Sequence, residues 1–155
     1  MNDPRIPPLL DDLKHSNPKV RDRATRQLWE MWFNQKGAAG LDALGRCQSL
    51  VEAQQFQAAE QELTQLVESM PDFAEAWNRR AVLYFITDRH QQAIADCRTT
   101  LELNPVHFGA LNGLGLCHMA LSEYSEAIAA FRKALEIQPH SLENKRMLLE
   151  CTSNL

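Results

Sequence analysis

The chain contains no apolar run approaching the ~18–20 residues that cross a bilayer. Its opening, MNDPRIPPLLDDLK, carries Asp3, Asp11 and Asp12 where a secretory leader would carry an apolar stretch, which speaks against one. Paired cysteines are also missing. Cys47, Cys97, Cys117 and Cys151 are scattered with no C-x-x-C spacing, so reduced thiols are expected, in the cytoplasm or a stroma-like organelle compartment, and no disulfide framework. The five histidines, His15, His90, His107, His118 and His140, never pair at a metal-ligand spacing. Cys117 and His118 are adjacent, and on a helix they point about 100° apart. No metal and no cofactor are expected. No nucleophile–base arrangement stands out either, so the chain reads as a non-enzyme.

A basic surplus is missing as well. The formal net charge is −4. The acidic excess lies beyond residue 40 and disfavours nucleic acid and anionic membrane as partners. One local exception is KVRDRATR, residues 19–26. It reads either as a solvated helix face or as a contact for an acidic partner. Glycine is scarce too, yet three of the six fall in GALNGLG, residues 109–115. A phosphate-cradling loop would need a preceding strand and a following Gly-Lys-Ser/Thr. Neither is present, and the nucleotide reading fails.

What the sequence does contain is a period. Pro71, Pro105 and Pro139 are 34 residues apart and frame three units, 40–73, 74–107 and 108–141. Ala59, Ala93 and Ala127 coincide in this frame. So do Phe56, His90 and Tyr124, then Leu63, Cys97 and Phe131, then Val67, Leu101 and Leu135. Such a period is the mark of a stacked-repeat architecture, in which no unit can bury its apolar face alone.

With these residues aligned, the chain resembles the tetratricopeptide repeat (TPR) family. Leu111, Leu114, Gly115, Tyr124, Ala127, Phe131, Ala134 and Pro139 of the third unit fall on the family's signature positions. The second unit carries Trp77, Ala81, Tyr84, Ala93 and Pro105, with Arg80 in place of Leu and Thr100 in place of a small residue. The first departs at Ala43, Arg46 and Cys47. The resemblance implies two antiparallel helices per unit, with small residues (Cys47, Ala81, Gly115) where they meet. The expected fold is all-α: a right-handed α-α superhelix, a TPR solenoid.

Two end segments flank the array. Residues 1–39 read as a helical hairpin broken at Ser16-Asn17-Pro18, with Val20, Ala24, Leu28, Met31 and Trp32 at helical spacing. Leu9, Leu10, Leu13, Pro18, Val20, Arg21, Ala24 and Leu28 resemble one HEAT repeat. The hairpin is expected either to cap the first unit, ending over Gln35–Gly40, or to offer a second docking face through Trp29 and Phe33. Residues 142–155 read as a capping helix started by Ser141, with Leu142, Met147, Leu148 and Cys151 facing inward.

The resemblance places function on the concave face lined by the first helix of each unit. The candidate partner-binding residues there are Asn78, Arg79, Val82, Phe85, Ile86, Gly109, Asn112, Gly113, Leu116 and Met119. The apolar members would hold side chains of a partner segment. The two asparagines, one repeat apart, would bond its backbone. Gly109 and Gly113 each cost a helix ~1 kcal/mol relative to Ala, which predicts a ligand backbone lying close to them. The family's clamp for chaperone tails would fall on Leu44, Gln48, Arg79, Gly109 and Gly113, and its lysines are absent. The expected function is a non-catalytic protein–protein interaction adaptor, a scaffold or assembly factor binding a protein or peptide. The alternatives are a small-molecule or lipid carrier, a regulatory subunit docking through the hairpin, or a groove filled by the hairpin or a second copy of the chain.

Overall fold

The repeat reappears in the backbone with the same spacing. Gln54, Asp88 and Ser122 adopt φ of 58°, 62° and 59°. The residue after each donates its N–H five positions back, Gln55 to Leu50, Arg89 to Tyr84 and Glu123 to His118, each at 2.8 Å. These are three copies of one left-handed helix-ending turn, the kind that glycine usually occupies. Their identity includes the first unit, whose sequence is the most divergent.

The computed structural model describes residues 3–155. Among them run nine helices: α1 Ile6–Asp12, α2 Pro18–Phe33, α3 Gly37–Glu52, α4 Phe56–Ser69, α5 Ala74–Ile86, α6 His90–Leu103, α7 Phe108–Ala120, α8 Tyr124–Ile137 and α9 Leu142–Ser153. Helices α3 to α8 form three antiparallel pairs stacked in an α-α solenoid. The chain enters α5, α7 and α9 through Phe73, His107 and Ser141, again 34 residues apart. His107 accepts the Ala110 N–H on Nδ1, and Ser141 accepts the Asn144 N–H on Oγ. Both therefore satisfy a donor that the helix start leaves free.

Packing follows the small positions. Ala59, Ala93 and Ala127 are fully buried, and Cys47 is nearly so. A Cβ on Gly115 would lie 2.6 Å from the Phe131 ring, so only glycine lets α7 and α8 approach this closely. The second unit's two departures have a common cause. Arg80 forms a two-pronged bond to buried Asp96, Nε to Oδ2 at 2.7 Å and Nη2 to Oδ1 at 3.0 Å. Thr100, also buried, donates to the Asp96 carbonyl at 2.8 Å. The hydrogen-bonded Asp96 carboxylate raises the Arg80 pKa inside the helix contact.

Three features differ from expectation. Gln35–Gly40 does not end the hairpin as a loop. Gly37 turns the chain at φ 63°, and α3 then runs through Ala38, Ala39 and Gly40, with Gly40 pressed against Phe73. In α9 the inward set is Asn144, Met147, Leu148 and Cys151. Leu142 points outward at 79% exposure, because the half-turn after Ser141 directs Asn144 into the interface instead. The hairpin of α1 and α2 is not simply a cap on the first unit. Leu13, Ala24, Leu28 and Trp32 pack on Phe108, with Val106 and Ile137 beside it, at the entry to the third unit. Gln35 Nε2 donates to the Asp72 carbonyl at 2.9 Å, and Lys36 pairs with the Asp72 carboxylate at 2.5 Å. The hairpin thus bridges the two inter-repeat turns around Asp72 and Val106.

Candidate interaction site

The polar centre beneath this bridge is buried. Glu75 and His107 both have no exposed side-chain surface. His107 Nδ1 is occupied by the Ala110 N–H, so the proton resides on Nε2, which donates to Glu75 Oε2 at 2.8 Å. Glu75 Oε1 accepts from Asn78 Nδ2 at 3.2 Å and Arg79 Nε at 2.9 Å. A buried carboxylate is tolerable only with its lone pairs engaged, and here three donors do so. The aromatic rings of α2 close over it. Trp32 stacks on His107 at 4.5 Å and 19°, and Trp29 meets the same ring edge-on at 5.2 Å.

Outside this lid lies a depression of about 420 Å³ lined by Arg26, Trp29, Glu30, Phe33 and Arg79. Trp29 and Phe33 stack at 5.5 Å and 30°. The Arg79 guanidinium sits 5.1 Å above the Phe33 ring, and its Nη1 donates to Gln48 Oε1 on α3 at 3.1 Å. Further along the same face of α5, Val82 and Ile86 are 47% and 46% exposed. The groove residues and the hairpin residues that the sequence treats as separate faces therefore meet in one place.

The remaining candidates are placed differently. Asn78 is buried and committed to Glu75. Asn112 donates to Asn144 Oδ1 on α9 at 2.8 Å. Both asparagines are structural, so the expectation that they bond a ligand backbone is corrected. Gly109 does make room, but for this chain's own tryptophan: a Cβ there would lie 2.6 Å from Trp29 Cη2. Gly113 faces the Cys97 sulfur at an ordinary 3.5 Å. Phe85 packs with Tyr84, Ala93, Ile94 and Cys117. Leu116 and Met119 pack on the cluster that joins α8 to α9. Of the ten groove candidates, Arg79, Val82 and Ile86 form the open strip.

Sequence reasoning missed His107 and Glu30, and it held Arg26 only as the end of the basic run KVRDRATR. His107 carried one signal: it shares the 34-residue frame with Phe73 and Ser141, so a polar ring at a buried helix entry needed a partner. The thiols line the core. The hydrogen bond to Cys117 and then burial push the Cys97 thiol far up, while the same bond lowers that of Cys117. Burial raises Cys47 and Cys151. Among the described residues no group of His, Cys, Asp and Glu is arranged to hold a metal ion, and no helix is long and apolar enough to cross a membrane.

The stacked helix pairs, the three matching turns and the small-residue contacts define an α-solenoid of 34-residue repeats. Residues 74–107 and 109–141 match the model of the tetratricopeptide repeat family. The match leaves out the first unit and the hairpin. A TPR repeat-containing protein of Rhizobium etli is 26% identical over 87% of this chain and 67% of its own length. The bovine protein SGT1 homolog is 30% identical over 66% of this chain, which spans only 30% of that protein. Among solved structures, the MamA protein aligns with 96% of this chain and 81% of its own at a TM-score of 0.70 and 20% identity. The first TPR of Spaghetti (RPAP3), solved with the HSP90 peptide SRMEEVD, aligns with 73% of this chain and 90% of its own, with a TM-score of 0.71 and 21% identity.

Proposed function

We propose that the chain is a non-catalytic protein-interaction adaptor that holds a segment of a partner protein along α5, beside α2. The observation that carries this reading is the pair Val82 and Ile86. Each is almost half exposed on a helix face that this architecture leaves open, next to an oriented arginine. A contiguous exposed apolar patch is a feature of protein contact surfaces, and Val82 and Ile86 lie one turn apart on one helix face. The likeness to a TPR domain solved with a bound peptide supports the same use of the fold. The aromatic pair Trp29 and Phe33 extends the strip onto the hairpin, so docking through the hairpin and docking in the groove become a single reading.

The test is affinity capture from the native cell with the wild-type chain and with Val82→Asp combined with Ile86→Asp. Both side chains are exposed, so the variant should keep its helical spectrum and melting temperature. Loss of a stoichiometric protein partner supports the adaptor reading. Capture that survives this variant, or a small molecule or lipid retained by the wild-type chain in native mass spectrometry, overturns it.

A further inference from the structure

We propose that Cys97 and Cys117 are a redox-responsive pair: a hydroperoxide converts them to a disulfide that fastens the second repeat unit to the third, and thiol reductants reverse it. This chemistry is independent of what α5 binds.

Cys97 lies on α6 and Cys117 on α7, and both are buried where these helices meet. Their thiols are hydrogen-bonded to one another. Gly113, one turn before Cys117, keeps the approach clear. A Cβ built there would lie 3.5 Å from the Cys97 sulfur, so that sulfur reaches the α7 backbone with no side chain between them. The other two cysteines sit among apolar side chains, Cys47 with Ala59, Leu63 and Leu83, and Cys151 with Ala127, Ile128 and Phe131. The pair is also unequal. The hydrogen bond and then burial hold Cys97 as the thiol, while the same bond lowers the pKa of Cys117. A lowered thiol beside a second sulfur suits peroxide chemistry, with Cys117 attacking and Cys97 resolving.

The reaction balances with one hydroperoxide. Cys117, as thiolate, attacks one peroxide oxygen and the O–O bond breaks. The sulfur keeps that oxygen as a sulfenic acid. The other oxygen leaves as hydroxide and takes up the proton Cys117 released, giving water when the oxidant is hydrogen peroxide. The Cys97 sulfur then attacks the Cys117 sulfur and displaces hydroxide, which leaves as water with the proton of Cys97. Two thiols lose two electrons in all, and one hydrogen peroxide becomes two waters. Both sulfurs are buried, so peroxide reaches them as the α6–α7 contact opens locally, which makes the step slow and disfavours bulky oxidants. Reduced thiols at rest and a transient bond under oxidant fit a compartment that keeps cysteines reduced.

The test treats the full chain with hydrogen peroxide, removes the oxidant, alkylates with N-ethylmaleimide in urea and digests with trypsin, which cuts after Arg89, Arg98 and Arg132. The expected product is fragment 90–98 joined to fragment 99–132, lighter than their sum by two hydrogens and separated by dithiothreitol. Cys47 and Cys151 should carry the alkyl label. The oxidised chain should melt roughly 5–10 °C above the reduced one, because the bond constrains the unfolded chain more than the folded one. Cys97→Ala combined with Cys117→Ala, treated alike, accounts for methionine oxidation and should gain nothing. Both cysteines recovered alkylated, Cys117 recovered as sulfinic or sulfonic acid without the bond, or either sulfur joined to Cys47 or Cys151 overturns the pair. A joined chain that melts no higher than the reduced one overturns the fastening of the two units.

Discussion

Replacing Gly109 by alanine tests the placement of the hairpin through the sign of a stability change. On an open helix face the substitution should stabilise, because alanine exceeds glycine by ~1 kcal/mol in helix propensity. Gly45 is that case: nothing lies within 4 Å of a Cβ built there. At Gly109 the added methyl would meet Trp29 Cη2 at 2.6 Å, Trp29 Cζ2 at 3.0 Å and His107 Cε1 at 3.1 Å. The Trp29 ring cannot simply swing aside, since Trp32, Phe33 and Phe108 surround it at 5.3–5.5 Å between ring centres. Overpacking of this kind costs ~1–3 kcal/mol, which outweighs the propensity gain and leaves a net loss of about 1 kcal/mol. For a domain of this size that lowers the melting temperature by about 2–4 °C, whereas Gly45→Ala should raise it by a similar amount. Circular dichroism melts and urea titrations of the two variants measure the difference. In a Trp29→Ala background only the His107 Cε1 contact at 3.1 Å remains, and Gly109→Ala should lose most of its penalty. An increase in stability from Gly109→Ala in the wild-type chain would refute the seating of Trp29 on α7.

Two further substitutions test the repeat itself. Ser122→Gly and Gln54→Gly relieve a left-handed residue at a helix-ending turn, and each should stabilise by about 0.5–1 kcal/mol in urea unfolding, because φ near 60° suits glycine better than any side chain. Arg80→Leu restores the family's usual residue yet leaves Asp96 buried without its partner, so it should destabilise by about 3–5 kcal/mol. Adding Asp96→Leu should recover most of that loss in the same titration.

The array was legible because its determinants lie close together and recur. Ala59, Ala93, Ala127 and Gly115 announce the helix contacts by their size and spacing alone. The left-handed turns are legible only through the period, since Gln54, Asp88 and Ser122 share a conformation but no residue type. The candidate site was legible in part. Val82, Ile86 and Arg79 follow from helical geometry once the open face is known. The asparagines were misread because their partners were not considered: Glu75 lies one turn before Asn78, and Asn144 lies on the terminal helix. Gly109 was read as space for a ligand because its neighbour, Trp29, is eighty residues earlier and no local pattern links them. The hairpin's apolar stripe was visible, but a stripe says that a face is buried, not against what.

A solenoid of this kind ordinarily behaves as a one-dimensional chain of couplings, in which each unit feels only the next and the ends can fray alone. The bridge from Asp72 to Phe108 changes that topology. It links the start of the polypeptide to the second and third units directly, so the couplings form a loop. Melting of the third unit must then release the hairpin, and a change in superhelical pitch must shear the Trp32–His107 stack. The hairpin acts as a tie-rod that holds the spacing of α5 and α7, and with it the width of the open face, near one value.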